Sequence, residues 1–181
     1  MKKISKKGFT IVEVLVVMAI LGVVLTAGTS VFISTISTSN KTQAQINVKE
    51  AGRNASEQIT RKIQAARGLV QVSSTQVSVI DGDGISSLLT CINGTAATNG
   101  RLEITNAGLA TGLTFYDPAD NTKGVNITGC DFQVVNGTSG KEPPALQYTF
   151  NVSQPVGAPT RPEYQASIKI ESSVVSRTYE F

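Results

Sequence analysis

The chain has no histidine and no tryptophan. Histidine is the usual general base and metal ligand near neutral pH. Without it, Ser-His nucleophile pairs and the common zinc sites are excluded, and no nucleophile-base pair, phosphate-binding glycine loop or metal-ligand cluster takes their place. Neither an enzyme nor a cofactor is expected. Proline is missing from the first 67 residues, so nothing there forces a helix to break. Net charge is nearly absent as well. Four of the 16 basic residues lie in the first eight positions with no acid, which leaves 12 against 13 acids from Phe9 onward. That balance gives no reason to expect a broad nucleic-acid-binding surface.

What the chain does have is concentrated in its first 35 residues. Lys2, Lys3, Lys6 and Lys7 precede Gly8-Phe9-Thr10, and the run from Ile11 to Leu25 is then apolar except for Glu13. An ionisable side chain at mid-membrane costs roughly 2.5–3.5 kcal/mol on insertion scales, which makes such a residue a functional suspect. In an ordinary secretory signal the cut follows the apolar segment; here the small residue, Gly8, comes first. The lysines hold the N-terminus on the cytoplasmic side and leave the rest of the chain outside.

Lys6-Lys7-Gly8-Phe9-Thr10-Ile11-Val12-Glu13-Val14-Leu15 resembles the leader and mature N-terminus of type IV pilins and pseudopilins. The resemblance implies cleavage between Gly8 and Phe9 by a prepilin peptidase, N-methylation of Phe9, and an assembly role for Glu13, the acid at mature position five. It implies further partners: other pilin or pseudopilin subunits and, indirectly, an assembly platform and ATPase. Related pilins often carry a proline near the position of Ser30, so the local helix break of some filaments is less assured here. The alternatives are an uncut signal anchor, conventional cleavage near Thr26-Ala27-Gly28, and a Glu13 that merely snorkels to the headgroups.

One long helix is expected from Phe9 to about Arg67. Its first part, to Ile36, is long enough to cross a bilayer, with membrane lipid as its first partner. Ile46, Ala51, Ala55, Ile59, Ile63 and Ala66 recur near the helical period, with charged residues between them, and Gly68 stands where a C-terminal cap would be. From Leu69 the pattern changes to period two. Strands are expected at Val77–Ile80, Ile85–Cys91, Arg101–Thr105, Leu113–Tyr116 and Ile127–Val135. Others are expected along Leu146 to Val152, along Ala166 to Ile170, and from Val175 to the end. Turn signals separate them at Asp81-Gly82-Asp83-Gly84, Asn106-Ala107-Gly108, Asp117-Pro118, Asn136-Gly137 and Pro143-Pro144. The segment from Val152 to Glu163, with its prolines, reads as a surface loop. Helix first and strands after reads as α+β, a pilin-like domain whose antiparallel sheet packs on the helix's amphipathic half. The expected organisation is a leader at 1–8, a transmembrane assembly helix at 9–36 and an exported α+β domain at 37–181.

Several other features have plainer readings. Asp81-Gly82-Asp83-Gly84 lacks the later oxygen ligands of a calcium loop, since Ile85 and Ile92 occupy those places, so a β-turn is preferred and no metal is expected. Asp117 and Asp120 read as turn residues. Lys49, Arg53, Arg61, Lys62 and Arg67 are interrupted by Glu50 and Glu57 and contain no aromatic, which favours a solvated face or subunit contact over a nucleic-acid surface. Cys91 and Cys130 are expected to form a disulfide if the domain is exported; free thiols are the alternative, and a cytoplasmic location would reverse the preference. The expected function is that of a minor pilin or pseudopilin, held in the cytoplasmic membrane and then assembled into a filament for secretion, adhesion or DNA uptake. A membrane-tethered binding module that never polymerises is the alternative.

Overall fold

The computed structural model describes residues 10–114, 120–136 and 143–177. The chain divides into two compact units, Met1–Asn40 and Lys41–Phe181. Helix α1 (Ile11–Gln64) contributes to both, and the eight strands belong to the second unit. The fold class is α+β, helix first.

In the first unit, residues 11–36 of α1 are exposed throughout. Thr10 opens the helix: its Oγ1 accepts from the Glu13 N–H at 3.2 Å, and its carbonyl accepts from the Val14 N–H at 3.3 Å. The hydroxyls farther along turn back onto the preceding turn. Thr26, Thr29, Ser30 and Thr35 each donate to carbonyls three or four residues earlier, at 2.8–3.3 Å. Each of these four hydroxyls is thereby satisfied inside the helix, which is what hydrocarbon demands of it.

In the second unit, α1 buries Val48, Gly52, Ala55, Ile59 and Ile63, a stripe with steps of three and four. This corrects the expected face: Ile46 is exposed, Ala51 is half-buried, and Val48 and Gly52 take the inward positions. The helix also stops short of Arg67. It ends at Gln64, and Ala66 already begins β1 (Ala66–Ser73). Gly68 is therefore no cap but a strand residue beside a bulge at Arg67, where Ala66 pairs with Asp81 and Gly68 with Ile80. Pairing with β2 (Gln76–Asp81) is what overrides the helix there.

The strands form two antiparallel sheets where the sequence suggested one. The first has the order β1-β2-β3-β4-β5, completed by β3 (Ser86–Ile92), β4 (Arg101–Asn106) and β5 (Leu109–Gly112). The second has the order β6-β7-β8, from β6 (Asn126–Val135), β7 (Ala145–Ser153) and β8 (Ser167–Val175). The β1–β2 hairpin turns through Ser74 and Thr75. The Asp81–Gly84 segment joins β2 to β3, with the Gly84 N–H donating to the Asp81 carbonyl at 3.0 Å. The expected strand at Leu113–Tyr116 is replaced by β5, four residues earlier. Ala107 and Gly108 both adopt positive φ, 47° and 85°, and so make a two-residue hairpin turn that returns Leu109 directly opposite Asn106. Leu113 and Thr114 follow as buried non-strand residues, and Tyr116 and Asp117 lie outside the described residues.

A bulge in β6 sets the inner face of the second sheet. Thr128 opposes Asn151 and Asp131 opposes Thr149, so β6 carries one extra residue. Gly129 supplies the required φ of +60°. The bulge flips the alternation, and Ile127 before it and Phe132 after it both face the core. On β7, Leu146, Tyr148, Phe150 and Val152 point inward; the Tyr148 and Phe150 rings stack at 5.9 Å, and the Tyr148 hydroxyl meets Ser56 Oγ of α1 at 2.7 Å. β8 is one continuous strand through residues where a break was expected; Ile168 and Ile170 face inward as expected, but at Val175 the phase is opposite to the expected one. Val174 is buried and Val175 exposed, because Val174 continues the inward series of Ile168 and Ile170. Tyr179 and Phe181 lie outside the described residues.

The segment after β8 closes the unit. The Arg177 N–H donates to the Gln64 carbonyl at 3.2 Å, the Ser176 N–H to the Pro144 carbonyl at 3.0 Å, and the Ser176 hydroxyl to the Ala66 carbonyl. The last turn of α1 and the start of β1 are thus held by residues more than a hundred positions away.

Candidate functional site

The feature with chemical consequence is the front of α1. Gly8 and Phe9, the expected cleavage and methylation positions, lie outside the described residues, as do the leader lysines. Glu13 is described. It lies in the first turn of the helix, where a carboxylate complements the positive end of the helix dipole. Its side chain is exposed and has no hydrogen bond or ion pair among the described residues. Sequence reasoning missed Thr10, although a hydroxyl residue three positions before a glutamate is the sequence sign of a helix cap. The helix that follows is long and apolar enough to cross a membrane, and none of its apolar window is buried within the molecule.

The second unit presents no comparable chemistry. Among the described residues no three His, Cys, Asp or Glu side chains gather as a metal site would require. Asp81, suspected and then set aside as a cation ligand, instead meets Lys62 Nζ at 2.7 Å, in a half-buried ion pair that ties the last turn of α1 to the end of β2. Arg53 pairs with Glu57 at 2.7 Å, and Arg61 reaches the same carboxylate at 3.9 Å. The hydrogen bond from Arg53 holds the Glu57 carboxyl below its ordinary range. Arg53 and Arg61 are thus exposed and paired with Glu57, in keeping with the solvated face expected in place of a basic stripe.

Asp120 anchors a turn. Its carboxylate accepts from both the hydroxyl and the N–H of Thr122 and meets Lys123 Nζ at 3.1 Å, and these bonds lower its pKa to about 2. Cys91 and Cys130 are joined as a disulfide with a Cα–Cα distance of 6.4 Å. The bond links β3 to the β6 bulge and so ties one sheet to the other. A shallow polar hollow of about 500 Å³ on the outer face of the second sheet is lined by Asp131, Gln133, Gln147, Thr149 and Glu171.

An apolar helix bare along its front, with one acid in its first turn, is consistent with a membrane anchor. Residues 3–29 match the family model of the prokaryotic N-terminal methylation motif. The chain is also similar to the pilin-like protein PilA3 of Thermus thermophilus, 44% identical over 61 residues, which is 34% of this chain and 26% of that protein. It thus spans about a quarter of the length of the curated relative it matches. No solved structure matches. Both matches support a likeness to the type IV pilins.

Proposed function

We propose that the chain is a minor pilin or pseudopilin, a structural subunit of a type IV pilus-like filament. In this reading a prepilin peptidase removes residues 1–8 on the cytoplasmic side, Phe9 becomes the N-methylated terminus, residues 9–36 wait in the cytoplasmic membrane and residues 37–181 lie outside. An assembly platform and ATPase then move the subunit from lipid into a bundle of similar helices. The observation that carries the reading is the bare apolar front of α1 with a single unpartnered carboxylate, Glu13, inside the methylation motif. An apolar rod of this kind is stable in only two surroundings, hydrocarbon and other apolar helices.

Glu13 gives the transfer its register. Cleavage creates a positive α-amino group at Phe9, and the Glu13 carboxylate of an incoming subunit can meet the amine of one already in place. The pairing offsets part of the desolvation of both charges and fixes the axial step between neighbours. Removing one partner of such a buried pair costs about 3 kcal/mol or more, which corresponds to roughly a hundredfold in assembly equilibrium.

The test combines processing with assembly. Mass spectrometry of the mature protein should find Phe9 at the N-terminus with one added methyl group. Glu13→Val should leave the protein processed and membrane-bound while its incorporation into sheared filaments drops by roughly a hundredfold. Undiminished incorporation of the variant, or a mature N-terminus near Gly28, defeats the reading. Cysteines placed along α1 should crosslink into a ladder if the subunits stack, and remain monomeric if the protein is only a tethered binding module.

A further inference from the structure

Six of the ten asparagines head an Asn-X-Ser/Thr triplet without proline at X: Asn40, Asn54, Asn93, Asn126, Asn136 and Asn151. Ser and Thr fill about a fifth of all positions, so chance places such triplets at about two of ten asparagines. The triplet is the acceptor pattern for N-linked sugar on the exported side of a membrane.

The fold separates these six. Asn126 and Asn151 are half-buried; Asn126 Oδ1 accepts from the Gly100 N–H at 2.8 Å, and Asn151 Nδ2 lies against Gly129. Asn40 is half-buried and engaged. Asn54 is exposed but borders the groove that α1 forms with Leu113, Thr114, Gly124 and Val125. The triplet of Asn136 runs beyond the described residues. Asn93 is different: it is exposed on the loop between β3 and β4, and its side-chain amide has no partner among the described residues. The loop behind it is fixed, since the Gly94 N–H donates to the Ile127 carbonyl at 3.1 Å and Thr95 Oγ1 accepts from the Ala97 and Thr98 N–H groups at 3.2 and 3.1 Å. A substituent on Asn93 Nδ2 therefore projects into solvent and disturbs nothing. The engaged Gly94 N–H is also unavailable to close on the Asn93 side chain, which suppresses the deamidation to which Asn-Gly pairs are prone.

We propose that Asn93 is the acceptor of an N-linked oligosaccharide. The inference rests on the reading that residues 37–181 lie outside the cytoplasmic membrane. The donor is an oligosaccharide carried on a polyprenyl pyrophosphate. Asn93 Nδ2 attacks the anomeric carbon and the N–C bond forms. The bond from that carbon to the phosphate oxygen breaks with its electron pair left on the phosphate, and the amide gives up one proton. Thr95 supplies the recognition hydroxyl. That hydroxyl is engaged once the loop is closed, so the triplet is read on the emerging chain, before β4 settles beside β3.

The experiment is peptide mapping by mass spectrometry of the protein purified from the membranes of its own cells, as wild type, Asn93→Gln, Thr95→Ala and Thr95→Ser. The wild-type and Thr95→Ser peptides containing Asn93 should carry the added mass of whole sugar residues. Asn93→Gln and Thr95→Ala should lose it completely. An unmodified Asn93 peptide, or one converted to aspartate, overturns the proposal, as does sugar that persists in Asn93→Gln. The same spectra report the N-terminus independently. Phe9 at the terminus with bare Asn93 refutes the glycan alone, whereas an uncut Met1 with modified Asn93 refutes the filament reading alone.

Discussion

Gly52 lies where α1 comes against the three-stranded sheet. A β-carbon placed on it would be 3.2 Å from Ile170 Cδ1 and Cγ1 and 3.3 Å from Val152 Cγ2. Two effects oppose each other at this position. Glycine in a helix interior costs about 1 kcal/mol relative to alanine, so any side chain gains roughly that much. Against it, a larger residue must displace neighbours. Gly52→Ala needs Ile170 to yield by a few tenths of an ångström. Ile170 is half-buried on an edge strand, so the change should stay within about 1 kcal/mol of neutral. Gly52→Leu drives three further carbons into Val152 and Ile170, and overpacking of that kind costs about 1–3 kcal/mol. Set against the gain, this leaves a net loss of up to about 2 kcal/mol, or a fall in Tm of up to roughly 8 °C for a unit of this size. Thermal denaturation of the Lys41–Phe181 unit, as wild type, Gly52→Leu, Ile170→Ala and the double variant, measures it. The double variant should recover about 1 kcal/mol relative to the sum of the single changes, because the truncated Ile170 vacates the space. If Gly52→Leu is more stable than wild type, or if the two changes simply add, the close approach of helix and sheet is refuted.

Two further expectations concern the outer unit. Replacing both Cys91 and Cys130 by alanine opens a loop with a sequence separation of 39 and should cost about 4 kcal/mol in the chain-entropy model. A urea midpoint unmoved by the double change or by reductant contradicts a bond that constrains the unfolded chain. The pKa of Asp120 is depressed to about 2, so its turn contributes stability that is full above the ordinary carboxylate range and is lost as pH falls through about 2. NMR titration of the Asp120 carboxyl should give that low midpoint in the wild type and a higher one in Thr122→Val, which loses the hydroxyl bond but keeps the backbone N–H and Lys123; an ordinary midpoint in the wild type defeats the assignment.

The sequence revealed most where one physical demand acts alone. The apolar front of α1 must face something other than water, so its extent is legible from composition. The strands β4, β6 and β7 carry alternation strong enough to be placed within a residue or two. The misreadings fall where two demands compete. Ile46 fits the helical period as well as Val48 does, and only the position of the sheet selects Val48. Gly68 resembles a cap until β2 offers Ala66 a strand partner. The β1–β2 hairpin turns on Ser74 and Thr75, which carry none of the glycine or proline that marks a turn. The division into two sheets could not be read at all, because it depends on which strand edges meet. Glu13 stood out because a lone charge in an apolar run has few explanations, whereas the pairing of Lys62 with Asp81 required the three-dimensional fold.

The anchoring of Gln64 and Ala66 by Ser176 and Arg177 has a bearing on biogenesis. A ribosome that stalls early in β8 releases a chain whose helix keeps the Lys62–Asp81 pair but lacks the fastening of Gln64 and Ala66, and whose inner stripe lacks Ile170 to cover Gly52. Late nonsense mutations should therefore be as severe as early ones. Quality-control proteases would encounter such products as substrates, and shortened forms should be scarce in the cell whatever the strength of their promoter.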